Sequence, residues 1–309
     1  MTEPVKEFLP RGIVSEADEL FVEFSKGIEE IVNFGTHLLK WDVDQAKGGE
    51  ENLPIVMIFR HILELADSIS ILVKHSSIDP CKPLLRAILE SLLGLEYLLE
   101  KEFEKRALGF LLWHYKDQLK LALKFKIGEV SNKELHKKLK GDKSFTDYVK
   151  MPSIKNIDIQ IKSLEVLINM PQYSGAKAEY EKMVQKGSKN PKWYQLFEGP
   201  SNVDALATRL SRQGLYEVLY RAWSGPTHGT DIIQGKLTQG SDGQGQIIQM
   251  RNPKDAQLVT MYTFQLSLTV FLILLEKRIP NKKEEFKKWY PTVRQAYFQL
   301  ANEELLIVH

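Results

Sequence analysis

The chain has 309 residues, 43% hydrophobic and 27% charged, with a net charge of +2. That is enough chain for one large domain or two ordinary ones, and the composition excludes an intrinsically disordered polymer. So mild a balance also excludes a nucleic-acid binder recognisable by bulk charge, so any basic surface must come from local clustering. The one cysteine, Cys81, rules out a disulfide framework within the chain and fits a reducing, cytoplasmic setting.

Residues 1–14 read as a tail, with acids and prolines where a secretory signal has an apolar run. Ser15 to Asp18 has the form of a capping box. Leu20, Phe21, Phe24, Ile28, Ile31, Val32 and Leu39 then recur at helical spacing to about Lys40. Residues 42–52 are polar with a Gly-Gly pair and predict a loop. Pro54 opens a second helix to about Lys74, since a first turn tolerates its missing N–H. A third helix over 81–100 is apolar around most of its circumference and so should be central; a fourth covers about 103–126.

Residues 127–200 change character, with frequent lysines and Gly, Pro and Asn between short helical stretches near 132–140, 154–169 and 174–186. They predict an insertion or small subdomain within a single bundle spanning 15–309. Helices over about 202–211 and 213–223 follow, then a break at Ser224–Thr227 and a short helix to about Gln234. Residues 236–250 have the Gly-rich turn of a small β-hairpin. Helices over about 253–278 and 282–306 close the chain, with Pro280 at the stop between them. Leu258–Leu275 is an uncharged run of membrane-spanning length; its Gln265, Ser267 and threonines, with close flanking charges, favour a buried central helix. The fold class is therefore all-α: an antiparallel helical bundle with a lysine-rich helical insertion and one small β-hairpin.

Chemistry concentrates in Tyr220–Asp231, YRAWSGPTHGTD. Arg221 offers a planar, permanently charged fork that fits a phosphate, and His228 exchanges a proton near neutral pH. A bend between two helices can bring the two to one cleft. Arg and His suffice for RNA cleavage without metal, the His moving a proton and the cation stabilising charge on phosphate. Ser224, Thr227 and Asp231 are candidates to orient them. Arg86 and Glu90, four apart on the third helix, are candidate supporting residues or else a structural salt bridge. The structural alternative for the pair has Arg221 interacting with a helix C-terminus and His228 bonding Asp231 or backbone.

Arg-x6-His at a helix junction in an all-helical chain resembles the signature of the HEPN superfamily (higher eukaryotes and prokaryotes nucleotide-binding). The stretch LLRAILESLLGLEYLL (84–99), with YRAWSGPTHG (220–229) much later, resembles an uncharacterised prokaryotic helical family near it. The resemblance covers about 55–125 and 205–275. It implies a homodimer in which two Arg/His pairs face one RNA-binding cleft, and ribonuclease activity in toxin or phage-defence systems. Only Arg221 and His228 match the motif. Ala222 stands where such motifs often carry a polar residue, and Pro226 stiffens the spacer.

Between Lys116 and Lys143 stand nine lysines against four acids, with His114, Tyr115, Phe125 and His136 interspersed or close by. Lys120, Lys124, Lys137 and Lys138 are the candidate RNA contacts; a solvated helix face is the alternative. His61, Glu64 and Asp67, with Glu90, form a weaker candidate for a carboxylate metal site, and the paired Glu-x-x-His of such bundles is missing. No phosphate-binding glycine loop, dinucleotide fingerprint, nucleophile elbow or zinc-spaced Cys/His cluster occurs in the sequence, so no cofactor and no metal is expected.

Overall fold

The computed structural model describes residues 9, 18–46, 48–144, 154–221, 223, 236–239 and 243–302. Among them are eleven α-helices and one two-stranded antiparallel hairpin, so the fold is all-α. The chain forms two compact units, 1–100 with 202–309, and 101–201.

The first unit is built on α1 (Asp18–Gln45), α2 (Leu53–Lys74), α3 (Cys81–Glu100) and α10 (Ala256–Lys277), with α11 (Lys283–Asn302) packed against α1 and α10. Phe21, Ile28 and Ile31 of α1, Phe59 and Ile62 of α2, and Leu85, Ile88 and Leu92 of α3 are fully buried or nearly so. Two glycines let α1 come close. A β-carbon at Gly27 would stand 2.8 Å from Phe264 Cζ, and one at Gly35 would run into Leu63 Cδ2. Phe34 stacks on Trp289 at 4.0 Å between centroids, and the Trp289 indole N–H donates to Glu30 Oε1 at 2.6 Å. These contacts seat α11 although Pro291 falls inside it.

Helix α10 is the one described helix long and apolar enough to cross a membrane, and 61% of that window is buried inside the protein. Its threonines are reconciled with burial by bonding back along the helix. Thr260 Oγ1 donates to the Ala256 carbonyl at 2.8 Å, and Thr263 Oγ1 to that of Val259 at 2.8 Å.

Helix α1 runs past the expected stop at Lys40 to Gln45, through residues the sequence marks as loop. The reason is tertiary. Arg278, just past α10, donates through Nε to Asp42 Oδ1 at 2.8 Å and through Nη2 to Oδ2 at 3.4 Å, and the carboxylate is only 3% exposed. The capping box at Ser15 lies outside the described residues, apart from Asp18.

The second unit starts at Lys101, ahead of the change in composition at 127. It holds α4 (Phe103–Phe125), α5 (Val130–Gly141), α6 (Ile157–Ile168) and α7 (Ser174–Gln185). Leu111 and Leu112 of α4 share a core with Ile168, Tyr173, Tyr180 and Leu196. Back in the first unit, α8 (Val203–Arg209) and the short α9 (Gln213–Leu215) lead into a π-helical turn, Tyr216–Arg221. Strands β1 (Leu237–Gln239) and β2 (Gly245–Ile247) pair with Thr238 opposite Gln246.

Breaking a buried ion pair strands the remaining charge, which costs about 3–5 kcal/mol. Arg278→Met should therefore destabilise the protein by about that amount in urea unfolding. Cys81 is fully buried, and desolvation pushes its thiol up to about 12 against the opposing charge of Lys82. The native protein should resist Ellman's reagent at neutral pH until unfolded. Because the folded thiol keeps its proton where the unfolded one loses it, this contribution to stability is complete below about pH 8.5 and is lost as pH rises toward 12.

Candidate functional site

The motif at 221 is positioned by a seam of side chains between α3 and the antiparallel segment 203–223. Glu100 accepts from Arg209 (Nη2–Oε2 2.9 Å). One turn earlier on α3, Glu96 accepts two bonds from Arg212, each at 3.0 Å. The guanidinium of Arg86 lies over the Tyr220 ring, 3.7 Å from its centroid, and Lys82 Nζ is 5.9 Å from that of Trp223. Descending α3 is thus matched by ascending 203–223, with ion pairs at one end and cation–aromatic contacts at the other.

A backbone device sets this register. Helix α8 ends with Ser211 in the left-handed region at φ 58°. The Arg212 N–H then reaches back to the Ala207 carbonyl at 2.8 Å and the Ser211 N–H to that of Thr208 at 3.1 Å, the pairing of a Schellman stop. That break turns Arg212 onto Glu96 and starts α9 and the π turn. In the π turn Leu219 is fully buried, and Tyr216 and Tyr220 stack with centroids 4.8 Å apart and rings 16° from parallel. π turns inside helices are uncommon and often mark functional sites.

Arg221 follows Tyr220. With Tyr220 turned to α3, the next residue on a helical path points elsewhere, and the Arg221 side chain is 65% exposed. Its Nη1 donates to Glu217 Oε1 at 3.1 Å and Oε2 at 3.4 Å, and that hydrogen bond, reinforced by the carboxylate's charge, raises the guanidinium pKa further. His228, Ser224, Thr227 and Asp231 lie outside the described residues. Trp223, beyond the π turn, packs edge-on against Tyr262 of α10 at 5.7 Å.

Of the candidate supporting residues, Arg86 reaches this segment through Tyr220, and Glu90 sits 3.5 Å from Arg86 Nε. Arg86 Nη1 is buried without a hydrogen-bond partner among the described residues. Lys82 pairs with Asp79 (3.1 Å) and Asp255 (2.8 Å), and Lys236, at the foot of the hairpin, pairs with Asp79. This alternating chain ties the hairpin to the N-terminal ends of α3 and α10.

The candidate RNA-contact lysines all belong to the second unit. Lys120 donates to Tyr180 Oη at 2.7 Å and Asn190 Oδ1 at 2.8 Å, so it links α4 to α7 and the loop beyond. Lys124, Lys137 and Lys138 are exposed, and the last two border an open concavity with Lys143, Glu134 and Asp142. Among the described residues no three His, Cys, Asp or Glu side chains converge as metal ligands. His61 Nδ1 is 3.8 Å from Glu64, which also pairs with Arg60.

The sequence reading singled out Arg221 but missed the Tyr216–Tyr220 stack and the Arg209 and Arg212 pairs. The tyrosines stand four apart in the sequence, a spacing that could have suggested the stack. The arginines are 109 and 116 residues from their partners, beyond the reach of any local pattern.

An all-α protein with an arginine-bearing π turn braced on a central helix is the class that this geometry defines. Residues 52–244 match a family of unknown function (DUF5677), more than half of the chain, and the protein belongs to that family. The matched stretch runs from the start of α2 to the loop of the hairpin and includes both Arg221 and His228. No curated protein and no solved structure matches the chain.

The seam predicts an asymmetry between its two aromatic-rung partners. Arg86→Met gives up a cation–π contact of about 0.5–2 kcal/mol and the half-exposed Glu90 pair, but also removes a buried N–H that has no hydrogen-bond partner among the described residues, which costs about 1–3 kcal/mol. Its net effect on stability should fall within about 1 kcal/mol of wild type. Tyr220→Leu leaves the buried guanidinium uncovered and should cost about 2 kcal/mol or more by chemical denaturation.

Proposed function

We propose that this protein is a metal-independent endoribonuclease of the HEPN type, acting as a homodimer with Arg221 and His228 as its catalytic pair. The observation that carries this reading is the presentation of Arg221. A permanently charged fork stands in solvent at the end of a braced π turn, seven positions before the only histidine of the 220–231 stretch.

The chemistry needs only these two side chains. The imidazole of His228 takes the proton of a ribose 2′-OH, whose oxygen attacks the adjacent phosphorus. The P–O bond to the 5′ oxygen breaks, and the proton held by His228 passes to that oxygen. The products are a 2′,3′-cyclic phosphate and a 5′-OH. Arg221 draws charge from the non-bridging oxygens as the pentavalent state forms, and Glu217 must exchange its hold on the guanidinium for phosphate. That exposed pair is a weak competitor, since solvent-accessible ion pairs contribute little. Ser224, Thr227 and Asp231 orient the pair, and the lysines of the second unit contribute electrostatic attraction for the RNA backbone. A toxin or phage-defence role follows from the same resemblance.

A second reading, a non-enzymatic ligand-sensing or protein-interaction module, is favoured by a cavity of about 440 Å³ beside the ion-pair end of the seam, lined by Glu96, Leu99, Leu210, Arg212, Thr269 and Leu272 among others. Its size suits a small molecule.

The test is cleavage of tRNA and total RNA in EDTA by wild type, Arg221→Ala and His228→Ala, with product ends mapped. Wild type should leave cyclic phosphates. Arg221→Ala should lose about 10²–10³-fold and His228→Ala about 10²–10⁴-fold in rate, with unchanged melting points. Variants that cleave as well as wild type would sink the ribonuclease reading. A ligand that raises the melting point of wild type but not of a Leu272→Trp cavity variant, with no RNA turnover, would establish the second.

A further inference from the structure

We infer that the cavity beside the ion-pair end of the seam is a binding site for a small, uncharged, apolar molecule, and that its occupant shields that end of the seam from salt. The inference rests on the ligand-sensing reading for there being a ligand at all. It holds whether or not the Arg221 site cleaves RNA.

The apolar part of the cavity comes from the core helix itself. Helix α10 carries no charge between Ala256 and Leu275, so any face that its neighbours leave uncovered is apolar. Thr269, Leu272, Ile273 and Glu276 fall on one such face at helical spacing, and all four line the cavity. Leu272 is 54% exposed there, a large apolar side chain turned to an open space of about 440 Å³. Leu99 of α3 and Leu210, just past α8, face the same space and are half-buried.

The polar part of the lining excludes a charged ligand, because its charges are already matched. Glu96 accepts two bonds from Arg212, and Glu100 accepts from Arg209. Glu276 stands 3.0 Å from Lys277, and at 65% and 46% exposure neither of those two charges carries weight. The Thr269 hydroxyl donates back to the Gln265 carbonyl at 2.7 Å. Three carboxylates therefore meet three cations around an apolar floor. A ligand bearing a charge would have to leave water for a wall that offers it no unmatched partner, which is costly, whereas an apolar body gains by covering the leucines. The volume is that of a small-molecule pocket.

The same wall links the occupant to the seam. Glu96 and Arg212 are lining residues, so a molecule in the cavity displaces water and dissolved ions from their pair. Their attraction then acts through a less polar medium and is screened less.

The experiment uses the full chain and the neutral fluorophore N-phenyl-1-naphthylamine, which brightens on leaving water. Decan-1-ol, decanoate and decylamine, alike in chain and different in charge, compete for it. Wild type should bind the fluorophore, and decan-1-ol should displace it at least about 10-fold more tightly than either charged analogue. Leu272→Trp, which fills the cavity from an exposed position, should abolish binding. Ile71→Trp, an equally exposed site on α2, should keep it. Amide exchange over 203–212 should quicken with salt in the free protein and become indifferent to salt with decan-1-ol bound. Decanoate or decylamine binding as tightly as decan-1-ol would overturn the ligand class and leave the sensing reading standing. Fluorophore binding that survives Leu272→Trp would overturn the site. Exchange that stays salt-dependent with the cavity filled would overturn the shielding. A wild type that binds neither fluorophore nor decan-1-ol would overturn the proposal and remove the cavity's support for the sensing reading, while the ribonuclease reading would be untouched.

Discussion

The stack of Arg86 on Tyr220 is the contact through which the core reaches the candidate chemistry. Helix α3 is buried along most of its length, so a side chain rising from it is fixed in space. Arg86 passes that fixity to Tyr220, and the helical path then dictates where Arg221 points. Without the stack the π turn would be tied to the bundle chiefly by Leu219 below and by the Arg212 rung one turn away. Guanidinium and ring suit this work because the contact is planar: it sets the tilt of the tyrosine as well as its distance, which an aliphatic contact would not.

The bundle that supports α3 depends in turn on α10, whose apolar surface is shared among α1, α2, α3 and α11. A helix so apolar could slide among its neighbours, since aliphatic packing alone specifies register weakly. Its ends carry the specificity. Asp255 at one end holds Lys82, and Arg278 at the other holds Asp42. The pair at Asp42 also draws the end of α1 into helical form.

Much of this was legible in the sequence. The 3.6-residue period of α1, the proline at the start of α2, the apolar run of α3 and the Gly-rich hairpin turn all act locally, and local signals survive without the rest of the fold. What was not legible depended on distant partners. Asp42 reads as a loop residue until Arg278, 236 positions later, is brought beside it. Helix α4 reads like any amphipathic helix, and its membership of the second unit is set by Tyr173, Tyr180 and Leu196. Lys120 reads as one more solvated lysine, whereas it is held by Tyr180 and Asn190. At the site itself, Arg221 was found through its spacing to His228. Its orientation came from Tyr220 and Arg86, a pair that no periodicity announces.

The rungs of the seam differ in how much water they meet. Arg209 and Arg212 are 29% and 30% exposed, whereas Arg86 and Lys82 are 15% and 13%. Dissolved ions screen charges that solvent can reach, over a Debye length of about 8 Å at physiological strength, and leave sheltered ones largely alone. Rising ionic strength therefore loosens the seam from the α8 end while the aromatic end, beside Arg221, keeps its grip. The segment 203–223 is in effect hinged at the motif rather than at the helix that leads to it, and any salt-driven fraying begins where it disturbs Arg221 least.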